Sequence, residues 1–219
     1  MASPRENTMS ARRAISVLVA TIVLLGGLWG VTFVSGIQSA PMLAANGNAG
    51  SGLSYLPVVS KNYPPLPYLL ATIQLPAGSH PPGIDLDIAG RRAFVGNHQA
   101  NTLSVLDTVS MTVIATIALP NADGPNGVAY HAGLDRVYVA DRNTDNLAIV
   151  DPTSGAVIGN RAVDSQPNGV AVQGNRVYVA NFGSDSVSIL DAQANVVTKT
   201  LLVGDEPSLM AKNDEQGVV

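Results

Sequence analysis

The sequence contains no cysteine and is poor in basic residues. The missing thiols exclude disulfide bonds and thiolate-ligated metal sites. Lysine and arginine together number 12 against 16 aspartates and glutamates, and after residue 40 the ratio is 9 to 15. A chain without a basic stripe has no surface that displaces counterions from phosphates, so we expect no nucleic-acid partner.

Motifs for catalysis and cofactor binding are missing as well. The histidines His80, His98 and His131 are too far apart for a metal-binding pair such as i, i+4. The sequence has no Gly-x-Ser-x-Gly nucleophile turn, no Gly-x-Gly-x-x-Gly and no P-loop. It therefore contains no recognisable set of catalytic or cofactor-binding residues. This favours a protein that is not an enzyme, although the sequence leaves that question open.

A segment without charged residues, 14–36, follows Arg12 and Arg13. Its apolar centre of 21 residues is long enough, as a helix, to cross a hydrocarbon core of about 30 Å. We therefore expect a transmembrane helix that makes the membrane a partner, with residues 1–13 in the cytoplasm because the arginines stay inside. The alternative is a cleaved signal peptide. The rest of the chain would be membrane-anchored outside the cytoplasm in the first case and secreted or periplasmic in the second.

Residues 37–67 are rich in proline, glycine, serine and asparagine and have no sustained helical or strand period. Pro64, Pro65 and Pro67 favour the extended polyproline conformation. We interpret the segment as an extended linker.

The remaining residues, 68–219, repeat with a period of about 42 residues. Gly83, Gly127 and Gly169 are spaced by 44 and 42 positions. A period of this length, with strand signals and no helical pattern, predicts an all-β protein, a β-propeller of four-stranded antiparallel blades. The blades are expected to begin near residues 80, 124 and 166, and a partial blade covers 207–219.

Each repeat divides into four strand candidates separated by turn residues. The second and third candidates alternate with period two, as expected for a sheet packed on both faces by neighbouring blades. The candidates of the third repeat are 169–172, 176–180, 186–190 and 196–203.

The second strand of each repeat carries a recognisable signature. Tyr138-Val139-Ala140-Asp141 and Tyr178-Val179-Ala180-Asn181 resemble the signature of the YVTN-repeat β-propellers, and Phe94-Val95-Gly96-Asn97 is a weaker copy. The resemblance covers about residues 68 to 219 and implies the propeller fold. It does not imply one function, because the family includes surface-layer and periplasmic proteins, and lactonases share the architecture.

The repeat region is expected to be incomplete. Leu70–Pro76 matches Ile114–Pro120 at an offset of 44, so an outer strand over 68–78 precedes the first blade without inner strands of its own. The fourth copy stops before its second strand. Because propellers have about four to eight blades, we expect a truncated propeller. The alternative is closure by a second chain.

Three residues are candidates for ligand contacts at the mouth of the central channel. Asn126 and Asn168 open the innermost strands, and His80 lies at a channel-side entry. The Pro-Asn-Gly motif is similar to one that supplies a metal-binding asparagine in the regucalcin-like (SMP-30/gluconolactonase) propellers, which would imply calcium. Recurrence at one place in successive repeats favours turn formation instead.

Two acidic patterns also have both a functional and a structural interpretation. Asp141-x-Asn143-x-Asp145 resembles the start of a calcium loop, but the later loop positions do not match, which favours a polar hairpin loop. Asp85 and Asp87 lie two apart on one strand, where they either line the channel or are solvated.

Two functions remain open from the sequence. The first is an extracytoplasmic binding or scaffold module that recognises a protein, glycan or small molecule through loops around the propeller axis. The alternative is a metal-dependent lactonase or similar hydrolase of the SMP-30/gluconolactonase type, with its site mostly in blades absent from this chain.

Overall fold

The computed structural model describes residues 17–25, 28–37 and 69–211. Twelve β-strands form three four-stranded antiparallel sheets, which we call blades 1, 2 and 3. Blade 1 consists of β4 (Ile84–Asp87), β5 (Arg92–Asn97), β6 (Thr102–Asp107) and β7 (Thr112–Ala118). Blade 2 consists of β8 (Pro125–His131), β9 (Arg136–Asp141), β10 (Asn146–Asp151) and β11 (Ala156–Ala162). Blade 3 consists of β12 (Pro167–Gln173), β13 (Arg176–Asn181), β14 (Ser186–Asp191) and β15 (Val196–Leu202).

The blades coincide with the three sequence repeats, which confirms the predicted all-β blade architecture. In each blade the strands pair in chain order, and the first strands of neighbouring blades contact one another. The first strand is therefore the innermost, and the fourth lies at the outer edge. A single turn of 3-10 helix, Phe182–Ser184, follows β13.

The core lies between the blades, and the central strands of blades 1 and 2 bury both of their faces. Along β9, Val137 and Val139 pack toward blade 1, whereas Tyr138 and Ala140 pack toward blade 3. These side chains alternate because successive residues of a strand point to opposite faces of the sheet. The double burial explains why the second strands are apolar or aromatic between the arginine at their first position and the Asn or Asp at their last.

The strand expected over 68–78 is present as β3 (Leu69–Gln74). Its Ile73 is buried with Ala93, Val95 and Leu106 of blade 1. The equivalent residue of blade 1, Ile117, packs in the same way in the core toward blade 2. β3 thus packs on blade 1 like the outer strand of a preceding blade.

The N-terminal segment differs from the helix expected over 14–36. Where the structure describes it, the backbone forms two antiparallel strands, β1 (Val17–Leu25) and β2 (Leu28–Ile37), and β2 pairs with β3. The segment is rich in valine, isoleucine, threonine and aromatic residues, which favour strands, and the sequence Gly-Gly between them is a hairpin signal. Among the described residues, no helix is long and apolar enough to cross a membrane.

Three other expectations lie wholly or mostly outside the described residues. They are the cytoplasmic N-terminus over 1–13, the linker over 37–67 and the end of the partial blade after residue 211.

Candidate functional site at the loop face

One end of the blades carries the connections between second and third strands and the connections from one blade to the next. We call this end the loop face. The segments that form it are 98–101, 119–124, 142–145, 163–166, 182–185 and 203–206. The innermost strands begin at the same end, so the loop face includes the side of the blades where the channel mouth is predicted.

The innermost strands are held together at this mouth by glycines without room for a side chain. A Cβ on Gly83 would collide with the carbonyl oxygen of Asn126, and a Cβ on Gly127 would collide with that of Asn168. At Gly169 the same contact is made by the carbonyl oxygen of Ser208, 2.6 Å from where a Cβ would lie. Glycine permits this close backbone approach, which gives the Pro-Asn-Gly motif a structural role.

The three predicted ligand residues all lie at this end, at two different repeat positions. The amide of buried Asn168 donates through Nδ2 to the hydroxyl of Ser208 at 2.8 Å, so it is engaged within the fold. Asn126 is half-buried, and its carbonyl covers Gly83. His80 is half-buried with φ 39°, at the repeat position that Gly124 occupies one blade later. A ligand role for these residues stays a prediction.

A hydrogen bond that the sequence analysis missed links each blade to the next. Asn101, in the left-handed conformation, accepts the backbone N–H of Gly124 through Oδ1 at 3.1 Å. Asp145 accepts the N–H of Gln166 at 2.8 Å in the same way. Asn and Asp tolerate positive φ and carry the short acceptor that this link needs. The available signal was the recurrence of Asn or Asp at positions 101, 145 and 185, just before each third strand.

The first residue after each second strand varies among the blades, and it lies half-buried on the loop face. Blade 1 has His98 and blade 2 has Arg142 at this position. In blade 3 it is Phe182, and the guanidinium carbon of Arg142 lies 4.8 Å from the centre of the Phe182 ring. Arg142 also donates to Oε1 of Gln166 at 3.3 Å. Arginine stacked on an aromatic ring joins blades 2 and 3 and presents a cation on a flat apolar support.

The last residue of each second strand is buried. Asn97 and Asn181 each donate through Nδ2 to two hydroxyl groups of the adjoining third strand. Asp141 occupies this position in blade 2, and burial raises its pKa to about 7. Asp145 is exposed and accepts the backbone N–H of Gln166, whereas Asp141 is buried. The two carboxylates of the calcium-like pattern therefore lie in different environments.

The opposite face of the blades is joined by an ion-pair cluster around Arg92. Its Nη2 lies 2.7 Å from a carboxylate oxygen of Asp87 and 2.6 Å from one of Asp135. It also donates to the hydroxyl of Tyr130 at 3.1 Å. Asp85 accepts the backbone N–H of Tyr130 at 2.7 Å. The Asp85 and Asp87 pair therefore serves to connect blades 1 and 2.

Solved structures with similar folds agree with this arrangement. A hydrazine synthase of Kuenenia stuttgartiensis matches with TM-score 0.56 and 19% identity over 60% of this chain and 38% of its own. A putative 6-phosphogluconolactonase from Bacteroides fragilis matches with TM-score 0.54 and 18% identity over 92% of this chain and 59% of its own. The WD40 repeats of RRP9 match with TM-score 0.50 and 12% identity over 59% of this chain and 42% of their own.

The fold is a β-propeller. The chain spans between about two fifths and three fifths of the length of these solved structures. No model of a known protein family matches the propeller chain. No curated protein matches it either. Since the identities are low, the likeness concerns the fold.

Proposed function

We propose that the chain is a YVTN-repeat propeller that is exported from the cytoplasm and binds a partner through its loop face without catalysing a reaction. One observation carries the proposal. The repeats keep the glycine of the innermost strand and the Asn or Asp that accepts the N–H of the next connection, whereas the loop-face position after the second strand changes from His98 to Arg142 to Phe182. A position that changes while its scaffold stays constant is free to specify a ligand.

The Arg142 and Phe182 pair is the centre of the proposed binding surface. Arginine and aromatic residues are enriched in protein interfaces, because the guanidinium offers several hydrogen-bond donors and a flat face, and an aromatic ring buries a large apolar area. The stack and the bond to Gln166 hold the guanidinium in place before a ligand arrives. Preorganisation of this kind lowers the entropy cost of binding.

Selection from a random peptide display library and a glycan array, against the full chain, tests this function. We expect ligands that lose at least about tenfold in affinity for an Arg142→Ala, Phe182→Ala variant. Arg176→Ala is the matched control, because Arg176 is exposed on the opposite face. Ligands that bind the loop-face variant as tightly as the wild type would overturn the proposal.

The lactonase alternative predicts different measurements. It requires calcium to raise the melting temperature of the full chain and a lactone such as gluconolactone to be hydrolysed. The binding function predicts no melting shift in millimolar calcium and no turnover. A shift and turnover that both disappear in Asn126→Ala would establish the alternative instead.

Export is proposed on the charge-free segment that follows Arg12 and Arg13. In cells making the full chain, external protease is expected to digest the blade region and leave a cytoplasmic marker intact. Intact mass then distinguishes an anchored chain from a cleaved one. Blades that stay protected until the cells are lysed would contradict export.

A further inference from the structure

Blades 1 and 3 end their second strands with the same polar network. In blade 1, Nδ2 of Asn97 donates to the hydroxyls of Thr102 at 2.9 Å and Ser104 at 2.8 Å. In blade 3, Nδ2 of Asn181 donates to the hydroxyls of Ser186 and Ser188 at 3.0 and 2.9 Å. Each asparagine is fully buried. The network satisfies a buried amide donor at the loop-face end of the blade.

Blade 2 lacks both the amide and the hydroxyls. Asp141 stands in place of the asparagine, and Asn146 and Ala148 occupy the third-strand positions of the two hydroxyl residues. The Asn146 amide donates instead to the carbonyl oxygen of Thr144 at 2.6 Å. Asp141 is 0% exposed, and neither of its carboxyl oxygens has a hydrogen-bond partner among the described residues. This position holds an acid where the other blades hold a neutral amide.

Asp141 faces the seam between blades 1 and 2. It lies on the same side of β9 as Val137 and Val139, which pack in the core of that seam together with Ala148. At the loop-face end, two backbone bonds inside blade 2 continue the pairing of β8 with β9 and fix loop 142–145 next to Asp141. The N–H of Arg142 donates to the carbonyl of Gly124 at 3.1 Å, and that of Asn143 donates to the carbonyl of Asp123 at 3.0 Å.

In the part of the chain that the structure describes, no hydrogen bond or ion pair compensates an ionised Asp141. The titratable or charged residues on the segments around it are His98, Asp123, Arg142 and Asp145, and none is hydrogen-bonded to its carboxyl group. The Arg142 guanidinium is directed to Phe182 and Gln166 in blade 3. An unpaired carboxylate in an apolar seam is strongly unfavourable, whereas a neutral carboxyl group is tolerated. Burial accordingly raises the pKa of Asp141 to about 7.

We propose that Asp141 makes the seam between blades 1 and 2 a pH-sensitive joint. With the carboxyl protonated, the seam is closed and loop 142–145 is fixed on the connection 119–124. Loss of the proton near neutral pH puts a bare charge in the seam, and the loop-face end opens so that water reaches the carboxylate. Opening displaces Arg142, so the joint controls the geometry of the loop face.

Amide hydrogen exchange of the full chain between pH 5 and pH 8 tests the joint, with rates expressed as protection factors to remove their intrinsic pH dependence. The diagnostic amides are those of Arg142 and Asn143. For a carboxyl that shifts from 3.8 when open to about 7 when closed, we expect their protection to fall about a hundredfold over this range. In Asp141→Asn the protection is expected not to change with pH.

Two further variants keep the test decisive. Asp141→Asn combined with Ala148→Ser supplies a hydroxyl partner like that of Asn181 in blade 3, so it keeps the seam closed if the single variant folds poorly. Asp205→Asn removes an exposed carboxylate of the loop face and is expected to behave as the wild type. The proposal is overturned if the wild type and the variants without Asp141 show the same pH dependence of protection.

Discussion

Gly127 lies directly against the carbonyl oxygen of Asn168, and no atom larger than hydrogen fits between them. The same relation joins Gly83 to Asn126 one blade earlier. These contacts set the spacing of the innermost strands and thereby the width of the channel mouth. These backbone contacts therefore position the loop face.

Gly127→Ala is therefore expected to destabilise the protein by about 2 kcal/mol, because the added methyl group forces two innermost strands apart. Urea unfolding measures the change. Gly204→Ala serves as the control, since a Cβ there meets no atom within 4 Å, and it is expected to change stability by less than about 0.5 kcal/mol. Equal effects of the two substitutions would contradict the role of these backbone contacts in spacing the innermost strands.

Arg92→Met is expected to cost about 2 kcal/mol, measured by urea unfolding at pH 7. The substitution keeps most of the aliphatic stem but leaves Asp87, whose side chain is 6% exposed, without its cation. Arg91→Met removes a neighbouring exposed arginine and is expected to be nearly neutral. A loss no larger than that of the control would mean that the cluster does not hold blades 1 and 2 together.

The Asp135 carboxylate in the same cluster predicts a loss of stability in acid. Burial opposes its ionisation, but hydrogen bonds from Arg92, Thr153 and Tyr130 outweigh it and lower the pKa below the usual 3.8. A depressed pKa adds stability above the unfolded-state value that is lost as pH falls through the folded-state value.

The difference in unfolding free energy between wild type and Asp135→Asn is therefore expected to be largest at pH 7 and to shrink below about pH 4. Unfolding curves at pH 7, 5 and 3 measure it. Asp123→Asn, at an exposed site outside the cluster, is the control and is expected to change the unfolding free energy by less than about 0.5 kcal/mol. A gap for Asp135→Asn that stays constant down to pH 3 would contradict the role of its ionised form.

The blade-to-blade bond of Asp145 predicts a difference between two substitutions at one site. Asp145→Ala removes the acceptor for the Gln166 N–H and places alanine at a φ of 56°, so it is expected to cost about 2 kcal/mol. Asp145→Asn keeps the Oδ1 acceptor, and asparagine tolerates the φ of 56°. This variant is therefore expected to lose only a few tenths of a kcal/mol of stability, about 0.3 kcal/mol. Thermal unfolding of both variants measures this, and equal losses would refute the bond as the cause.

The blades were predictable from the sequence because their signals are local. Strand candidates 176–180 and 186–190 agree within one residue with β13 and β14. Alternation and turn residues mark such strands without knowledge of their neighbours. The channel-end placement of Asn126 and Asn168 followed from the same alignment of repeats.

The contacts between blades were not predictable in the same way. Arg92 meets Asp135, 43 positions away, and nothing in the local pattern pairs them. In the sequence, Asp141 is the last residue of a strand signature. Only the structure shows that its carboxyl group lacks the hydroxyl partners that Asn97 and Asn181 have. The structure differs from the helix expected over 14–36 for another reason. Length and hydropathy suit a helix, whereas β-branched residues and a Gly-Gly pair suit the two strands that the structure contains.

The most direct test of the account asks whether successive repeats pack as neighbouring blades. A Cβ on Gly96 in blade 1 would lie 3.2 Å from Cγ2 of Val128 in blade 2, which is close to disulfide geometry. Because the chain has no cysteine of its own, a Gly96→Cys, Val128→Cys pair contains the only thiols.

Oxidation of that double variant, followed by intact mass and non-reducing electrophoresis, is predicted to give an intramolecular disulfide in nearly all molecules. The control pair Gly96→Cys, Val170→Cys places the second thiol at the equivalent position of blade 3 and is predicted to stay reduced. Failure of the first pair to cross-link, or equal cross-linking of both pairs, would contradict the arrangement of the blades on which the loop face depends.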